Sequence, residues 1–294
     1  MTTSLKALTE QAQALNMQGQ RYEAIDLYAK AASMYPQSAV AEHNLAAILG
    51  DIGRAGEAEA HIRQAFAKGL NAPESWLVLA RALLAQGKLD ESADAFRKTI
   101  ELNPDMFVAH YEYAQLIWMS TADSEAANAP LDAAIKSHPD KVELHGTKAR
   151  VMMYTSGADA TYQFVTAALE RWPDDVKLLG AGIDAATLTG ELAAALDMSE
   201  RLISLRPNSV AAKDMRAYAL LASGRAEEVV PMAQAICDAD PGDQHALAML
   251  ATACRLVGDS RHEQLYDYEE FVRPYQLTPP QGWDSLDAYL AALG

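Results

Sequence analysis

Apolar residues recur with helical spacing in pairs of short segments along most of the chain. In one such unit, Trp76, Leu79 and Leu83 are three and four residues apart, which places them on one face of a helix. Gly87 follows in a turn, and a second amphipathic stripe is centred on Phe96. This pattern predicts two short helices joined by a turn. Neither helix can bury its apolar stripe alone, so the unit needs neighbours built on the same plan.

The same plan recurs at a nearly constant interval, because the step between units is 34 residues apart from a single step of 35. The recurring residues are the alanines Ala12, Ala46, Ala80, Ala114, Ala149, Ala217 and Ala251, the glycines Gly19, Gly53, Gly87, Gly190, Gly224 and Gly258, and the prolines Pro36, Pro104, Pro139, Pro173, Pro207 and Pro241. Small residues are needed where helices nearly touch, and glycine suits the left-handed turn. We expect the extra residue in the turn between Ser120 and Glu125, which lacks a glycine.

This periodicity resembles that of the tetratricopeptide-repeat family, which repeats a helix-turn-helix unit every 34 residues. The resemblance covers residues 5–272 and is closest in repeats one to three. It implies an all-α fold, a right-handed superhelical solenoid of about eight helix pairs with a further C-terminal helix. We therefore expect a repeat array over residues 1–272 and a proline-rich linker with a short amphipathic helix over residues 273–294.

The tail carries a second resemblance. The segment YEEFVRPYQLTPPQGWDSLDAYLAAL, residues 268–293, resembles the junction in bacterial proteins where a tetratricopeptide array precedes an iron(II)/2-oxoglutarate oxygenase domain. It implies an alternative function, as the substrate-recognition or regulatory region of an oxygenase whose catalytic domain is not in this chain. Asp284 is expected to cap the last helix. The apolar stripe of that helix is formed by Leu286, Tyr289, Leu290 and Leu293.

Composition narrows the class of partner. Hydrophobic residues make up 50% of the chain and aromatic residues 7%, which suits a continuous core between stacked helices better than one large globular centre. The formal charge of −16 argues against a nucleic-acid or anionic membrane partner and favours a basic or apolar peptide. We find neither a signal-peptide core nor a long apolar stretch, so a soluble cytoplasmic protein is expected. Its only cysteines, Cys237 and Cys254, are expected to be reduced and packed.

Candidate chemistry is sparse. The motif His138-Pro139-Asp140 has a metal-ligand spacing, but its proline closes a repeat, so we interpret the motif as a turn. The other histidines lack the spacing that places two ligands on one helix face. We therefore expect no catalytic residues, no metal and no cofactor. A hidden enzyme on the helical scaffold is left as a third alternative, and the oligomeric state stays open.

A binding surface is the remaining hypothesis. In tetratricopeptide proteins, set positions of the first helix of each pair line the concave side, where peptides bind. The resemblance places the partner-binding residues at Arg81, Tyr111, Gln115, Trp118, Met119, Arg150, Met153 and Tyr154. Tryptophan, tyrosine and arginine dominate binding hot spots. The alternative is that Trp118 and Tyr154 only fill space beside the irregular turn. The family's lysine, asparagine and arginine clamp for a C-terminal carboxylate is not expected, because His43 and Glu74 occupy two of its places.

Overall fold

A computed structural model describes residues 4–266 and 278–293. These residues form seventeen α-helices and no strand. The helices are α1 Leu5–Met17, α2 Arg21–Met34, α3 Ala39–Asp51, α4 Ala55–Ala67, α5 Pro73–Ala85, α6 Leu89–Leu102, α7 Phe107–Thr121, α8 Ser124–Ser137, α9 Val142–Thr155, α10 Ala158–Arg171, α11 Val176–Thr189, α12 Leu192–Leu205, α13 Val210–Ala222, α14 Ala226–Ala239, α15 Gln244–Val257, α16 Arg261–Leu265 and α17 Leu286–Leu293. The predicted all-α arrangement of repeated helix pairs is confirmed.

The chain divides into two compact units, Met1–Met198 and Ser199–Gly294. Helices of unit 1 pack with the next helix in sequence, and first helices also pack on one another, as α3 does on α5 and α7 on α9. Unit 2 repeats this arrangement, with α13 packed on both α14 and α15. Each helix pair therefore buries its apolar stripes against its neighbours, as the repeat pattern predicts.

The recurring alanines lie where helices approach most closely. In unit 1, Ala12, Ala46, Ala80, Ala114 and Ala149 are all fully buried. Larger apolar side chains from the second helices fill the space around them, and the largest that is completely buried is Phe96 on α6. A larger side chain at an alanine position would push two helices apart.

The turn glycines adopt the backbone conformation for which they were predicted. The six glycines of the series have φ between 72° and 83°, a region that costs other residues energy. Repeat four has no glycine here, and Ala122 takes the left-handed conformation with φ 52°. Helix α7 has 15 residues, compared with 13 in α5, because it continues through Ser120 and Thr121, so the extra residue lies within the predicted segment between Ser120 and Glu125, at the end of the helix.

Unit 2 contains both cysteines. Cys237 on α14 and Cys254 on α15 are free and buried, which confirms the prediction of reduced, packed thiols. Burial raises the pKa of both thiols. The last pair is irregular, since α16 has only five residues. The hydroxyl groups of Tyr266 and Thr252 lie 3.1 Å apart and tie the end of α16 to α15.

The predicted C-terminal helix is present as α17, but its cap differs from the prediction. Ser285 Oγ accepts the backbone N–H of Ala288 over 3.1 Å, so the capping residue is Ser285 and not Asp284. Trp283 meets Tyr289 in an edge arrangement with ring centroids 5.5 Å apart. The boundary at residue 272 and residues 268–277 of the tail lie outside the described residues, and the link to oxygenases stays a prediction. No described helix is both long enough and apolar enough to span a bilayer.

Candidate functional site

The eight residues predicted to bind a partner lie on three first helices of unit 1. We call the sides of α5, α7 and α9 that carry them the A-helix surface. Its members are Arg81 on α5, Tyr111, Gln115, Trp118 and Met119 on α7, and Arg150, Met153 and Tyr154 on α9. Helices α7 and α9 pack on each other, and an ion pair joins α5 to α7. The predicted residues therefore lie on neighbouring helices.

Tyr111 is the centre of a cluster formed by four of these residues. The Arg150 guanidinium carbon lies 3.5 Å from the centre of the Tyr111 ring. The ring of Tyr154 meets that of Tyr111 nearly at a right angle, with centroids 6.1 Å apart. Gln115 Nε2 donates a hydrogen bond to Tyr111 Oη over 3.1 Å. Both helices contribute residues four apart, which face the same side of a helix. We call Tyr111, Gln115, Arg150 and Tyr154 the tyrosine cluster.

Arg150 is exposed, and within the described residues its guanidinium contacts the Tyr111 ring without a hydrogen bond to any carboxylate. Stacking on a ring uses the flat face of the guanidinium. The five N–H donors lie in the plane of the group and point outward from its edges. Arg150 is therefore positioned by the ring while its hydrogen-bonding capacity stays available.

Arg81 differs from Arg150, because Glu112 on α7 neutralises it. Arg81 Nε and Nη2 donate to the two carboxylate oxygens of Glu112 over 2.8 and 2.6 Å. This hydrogen-bonded pair raises the pKa of Arg81. Sequence reasoning missed Glu112, because the pair is formed across two helices and no helical spacing along one segment signals it. Arg81 is therefore paired within the chain, and its predicted role in binding a partner stays a prediction.

The hydroxyl of Tyr154 is buried and has no hydrogen-bond partner among the described residues. Burial raises the pKa of this phenol, the neighbouring Tyr111 raises it further, and Arg150 opposes the shift. The group therefore stays a neutral donor throughout the physiological pH range. An unsatisfied buried polar group costs on the order of 1–3 kcal/mol, so an acceptor that reached it would remove a penalty.

The remaining members of the A-helix surface are apolar. Trp118 is half-buried one turn after Gln115, and Met119 beside it is 77% exposed. Met153 is half-buried on α9. Among the described residues, no side-chain hydrogen bond or ring contact ties these three to the tyrosine cluster. The surface thus has a polar half, the tyrosine cluster, and an apolar half formed by Trp118 and Met119 at the end of α7 and by Met153 on α9.

A cavity that the sequence did not indicate lies between α4, α5 and α6. Its volume is about 350 Å³. It is lined by Arg63, Trp76, Leu79, Leu83, Glu91, Asp94, Ala95 and Lys98. Charges of both signs surround an apolar floor, and Arg63 Nη2 reaches Glu91 over 2.9 Å across it. The sequence assigned Trp76, Leu79 and Leu83 to packing alone, because helical spacing cannot show that two second helices leave a gap above them.

Two arrangements that resemble reactive sites have structural explanations. His43 Nδ1 lies 3.0 Å from Ser75 Oγ, but Ser75 is only 1% exposed, so its hydroxyl is not accessible to a substrate. Burial lowers the pKa of His43, and the nearby Glu74 opposes this shift. The motif at residues 138–140 is a turn between α8 and α9, as predicted, and Asp140 is ion-paired with Arg171.

Comparisons with known proteins agree with the helix-pair architecture. Tetratricopeptide-repeat family models match residues 6–38, 43–107 and 77–142. A TPR repeat-containing protein of Treponema pallidum is 28% identical over 130 residues. That match covers 44% of this chain and 16% of the relative, so the chain corresponds to a small part of that protein.

Solved structures extend the similarity over most of the chain. A tetratricopeptide repeat protein from Parabacteroides merdae superposes with a TM-score of 0.56 at 15% identity, covering 86% of this chain and 99% of the other. Yeast Tom70 gives a TM-score of 0.62 at 15% identity, covering 87% of this chain and 55% of the other. Such low identity shows the fold alone. The chain therefore has the tetratricopeptide-repeat fold, and its matched residues 6–38 and 43–142 are tetratricopeptide repeats.

Proposed function

We propose that this chain is a scaffold that binds a protein or peptide through the A-helix surface of unit 1. The observation that carries the proposal is the apolar half of that surface. Met119 is 77% exposed at the end of α7, and the half-buried Trp118 precedes it. An unbranched methionine adapts to differently shaped partners, and tryptophan supplies a large contact area. Together they suit a site that buries an apolar side chain of a partner.

The charged residues support a defined contact. Arg81 of this surface and Glu112 form a bidentate pair, so this part of the surface is fixed and locally neutral. Rigid aromatic and arginine anchors surrounded by neutral contacts are typical of binding hot spots. The same surface contains no arrangement of groups that suggests chemistry on a ligand.

A selection experiment tests the proposal. Peptides that bind the full-length chain are selected from a random displayed library, and their affinities are measured by calorimetry for the wild type and variants. We expect Trp118→Ala to weaken selected peptides by about 2 kcal/mol, or about 30-fold, because a central anchor is lost. Circular dichroism establishes that the variant keeps its helix content.

Methionine provides a matched control. Met17 on α1 is 89% exposed, so Met17→Ala removes as much exposed apolar surface as Met119→Ala, but away from the site. We expect Met119→Ala to weaken the peptides about fivefold, and Met17→Ala to leave their affinities unchanged. Equal effects of the two methionine variants, or full affinity in Trp118→Ala, would mean that the A-helix surface is not the binding site.

A further inference from the structure

The polar half of the A-helix surface indicates what kind of group a partner presents. The Tyr111 ring carries one hydroxyl group and contacts both the guanidinium group of Arg150 and the ring of Tyr154, which carries a second hydroxyl. Tyr111 Oη accepts from Gln115, which leaves the Tyr111 hydroxyl proton free to donate. The cluster therefore presents the exposed Arg150 guanidinium and the Tyr111 hydroxyl as donors, with the buried Tyr154 hydroxyl as a third.

Arg150 is the decisive member. Many arginines of unit 1 are paired with carboxylates, for example Arg54 with Glu57 and Arg81 with Glu112. Arg150 instead rests on Tyr111, with its N–H edge unbound among the described residues and exposed to solvent. Carboxylates are abundant in a chain with a formal charge of −16, yet Arg150 contacts an aromatic ring and no carboxylate among the described residues. Its planar fork matches the two oxygens of a carboxylate.

The unpartnered hydroxyl of Tyr154 is a second, independent observation. It belongs to the same helix one turn after Arg150, and its buried oxygen has no hydrogen-bond partner among the described residues. Its ring packs against that of Tyr111, and its hydroxyl oxygen is not exposed to solvent. Arg150 and Tyr154 are four residues apart on α9 and face the same side of the helix, so a ligand oxygen held by Arg150 lies on the side that carries this donor.

The charges on the packed helices limit the ligand to a single anionic group. Glu112 on α7 is occupied by Arg81, and Lys148 on α9 is occupied by Asp132. Glu143 adds a negative charge in the first turn of α9, the helix that carries Arg150. Together with the net charge of the chain, this charge opposes a run of acidic residues. One carboxylate followed by an apolar side chain would satisfy Arg150 and then reach Trp118 and Met119.

We infer that the tyrosine cluster recognises one internal aspartate or glutamate side chain of a partner peptide, whose neighbouring apolar residue contacts Trp118 and Met119. This inference rests on the proposed function, since it names the chemistry of a partner at the same surface. Arg150 and the two tyrosine hydroxyls hold the carboxylate. The recognised group is a side chain within the peptide, not a terminal carboxylate.

Two peptide libraries test the inference directly. Both consist of decapeptides with acetylated and amidated ends, one fixed tryptophan or leucine, and neutral residues elsewhere. One library carries a single glutamate at each position in turn, and the other carries glutamine at the same positions. Blocked ends remove terminal charges, so a difference between the libraries reports the side-chain carboxylate alone.

The wild-type chain is expected to bind the best glutamate peptides about tenfold more tightly than their glutamine partners, as measured by fluorescence anisotropy. Arg150→Gln should reduce this preference to less than about threefold, and Tyr154→Phe should reduce it by a smaller factor. Arg255→Gln is the control, since Arg255 on α15 is also exposed but lies outside unit 1. It should leave the preference unchanged.

The outcomes separate the inference from the proposed function. If both libraries bind equally and Trp118→Ala weakens both, the surface binds peptides but the tyrosine cluster does not recognise a carboxylate. A preference for glutamate that survives Arg150→Gln also overturns the inference. If neither library binds, or if Trp118→Ala leaves all binding unchanged, both the inference and the proposed function are wrong.

Discussion

Repeats three and four follow the same helix-turn-helix plan but use their polar groups differently. In repeat three, Ser92 Oγ donates to the Ala80 carbonyl over 2.8 Å, and Phe96 is fully buried. Repeat four and the start of repeat five hold three buried polar atoms without hydrogen-bond partners in the described residues. These atoms are His110 Nδ1, Asn128 Oδ1 and Tyr154 Oη.

The difference shows which part of the fold leaves buried polar groups without hydrogen bonds. The regular repeat satisfies its groups internally, and the irregular one carries a strained turn, an internal proline in α8 and the exposed Met119. Natural sequences depart from local rules mainly at functional sites. The irregular repeat is also the one that carries the centre of the A-helix surface. Four experiments would break or sharpen this contrast.

The largest effect is expected from the packing of repeat three. Phe96→Ala should lower the free energy of unfolding by about 4 kcal/mol, because it opens a cavity in a completely buried site. Trp118→Ala in repeat four should cost about 1 kcal/mol, since that side chain is only half-buried. Urea unfolding of both variants measures the difference. Losses of equal size would show that Trp118 serves the core and would contradict the contrast.

The turn of repeat three should also give the chain a pH dependence. Glu59 on α4 accepts hydrogen bonds from Lys88 Nζ over 2.7 Å and from Gln86 Nε2 over 2.8 Å. The hydrogen bond from Lys88, followed by those from Gln86 and Arg63, lowers the pKa of Glu59 from 4.5 to about 2 despite its burial. The folded state therefore binds the proton less readily than the unfolded state, so this stabilisation is complete above pH 4.5 and is lost as the pH falls towards 2.

Urea unfolding at pH 6, 4 and 3 in wild type and Glu59→Gln tests this dependence. The wild type should lose more of its free energy of unfolding between about pH 6 and 3 than the variant does, because the variant has no carboxylate to protonate. Glu125→Gln, an exposed change in repeat four, should keep the wild-type slope. Identical slopes in wild type and Glu59→Gln would remove Glu59 as the cause.

The turns of repeats three and four can be compared by exchanging glycine and alanine at their left-handed positions. Ala122→Gly should raise the free energy of unfolding by about 0.5–1 kcal/mol, since glycine adopts a φ of 52° without steric cost. Gly87→Ala, at φ 73°, should lower it by about 1 kcal/mol for the same reason. Thermal and urea unfolding measure both. Destabilisation by Ala122→Gly would show that the alanine methyl group makes a contact that outweighs the backbone strain.

The smallest change in stability is expected at Tyr154. Tyr154→Phe should leave the free energy of unfolding unchanged or raise it by about 0.5 kcal/mol, because it removes a buried hydroxyl that has no partner among the described residues. The same variant should bind the selected peptides less tightly. A variant that is more stable but binds peptides less tightly would indicate that the Tyr154 hydroxyl serves binding at a cost in stability. A clear loss of stability would instead assign the hydroxyl to the fold.

The fold was largely predictable from the sequence, whereas the candidate site was predictable only in part. Residue types alone placed Gly87 in a left-handed turn and Ala80 at a helix contact, because backbone geometry and close approach each allow few side chains. The spacing also placed Tyr111 and Arg150 on neighbouring first helices. Their direct contact was not predictable, because it depends on side-chain directions across two helices that are far apart in sequence.

Three features show most clearly what could not be predicted from the sequence. Arg81, one of the two predicted arginines, is paired with Glu112. In repeat four, Ala122 takes the left-handed conformation that glycine takes in the other turns. Ser285, and not Asp284, caps the last helix. In each case several local arrangements have similar energies, and contacts with surrounding residues determine which one forms.

The sequence by itself determined that this chain folds into repeated helix pairs, because a period of 34 residues, fixed small residues and turn glycines are short-range requirements that can be read along the chain. Tertiary structure alone decided that Arg81 is neutralised, that Arg150 lies free on Tyr111 and that the hydroxyl of Tyr154 has no partner within the described residues. The physical reason is that charge pairing and hydrogen bonding act over a few ångströms between helices, and sequence spacing does not specify those distances.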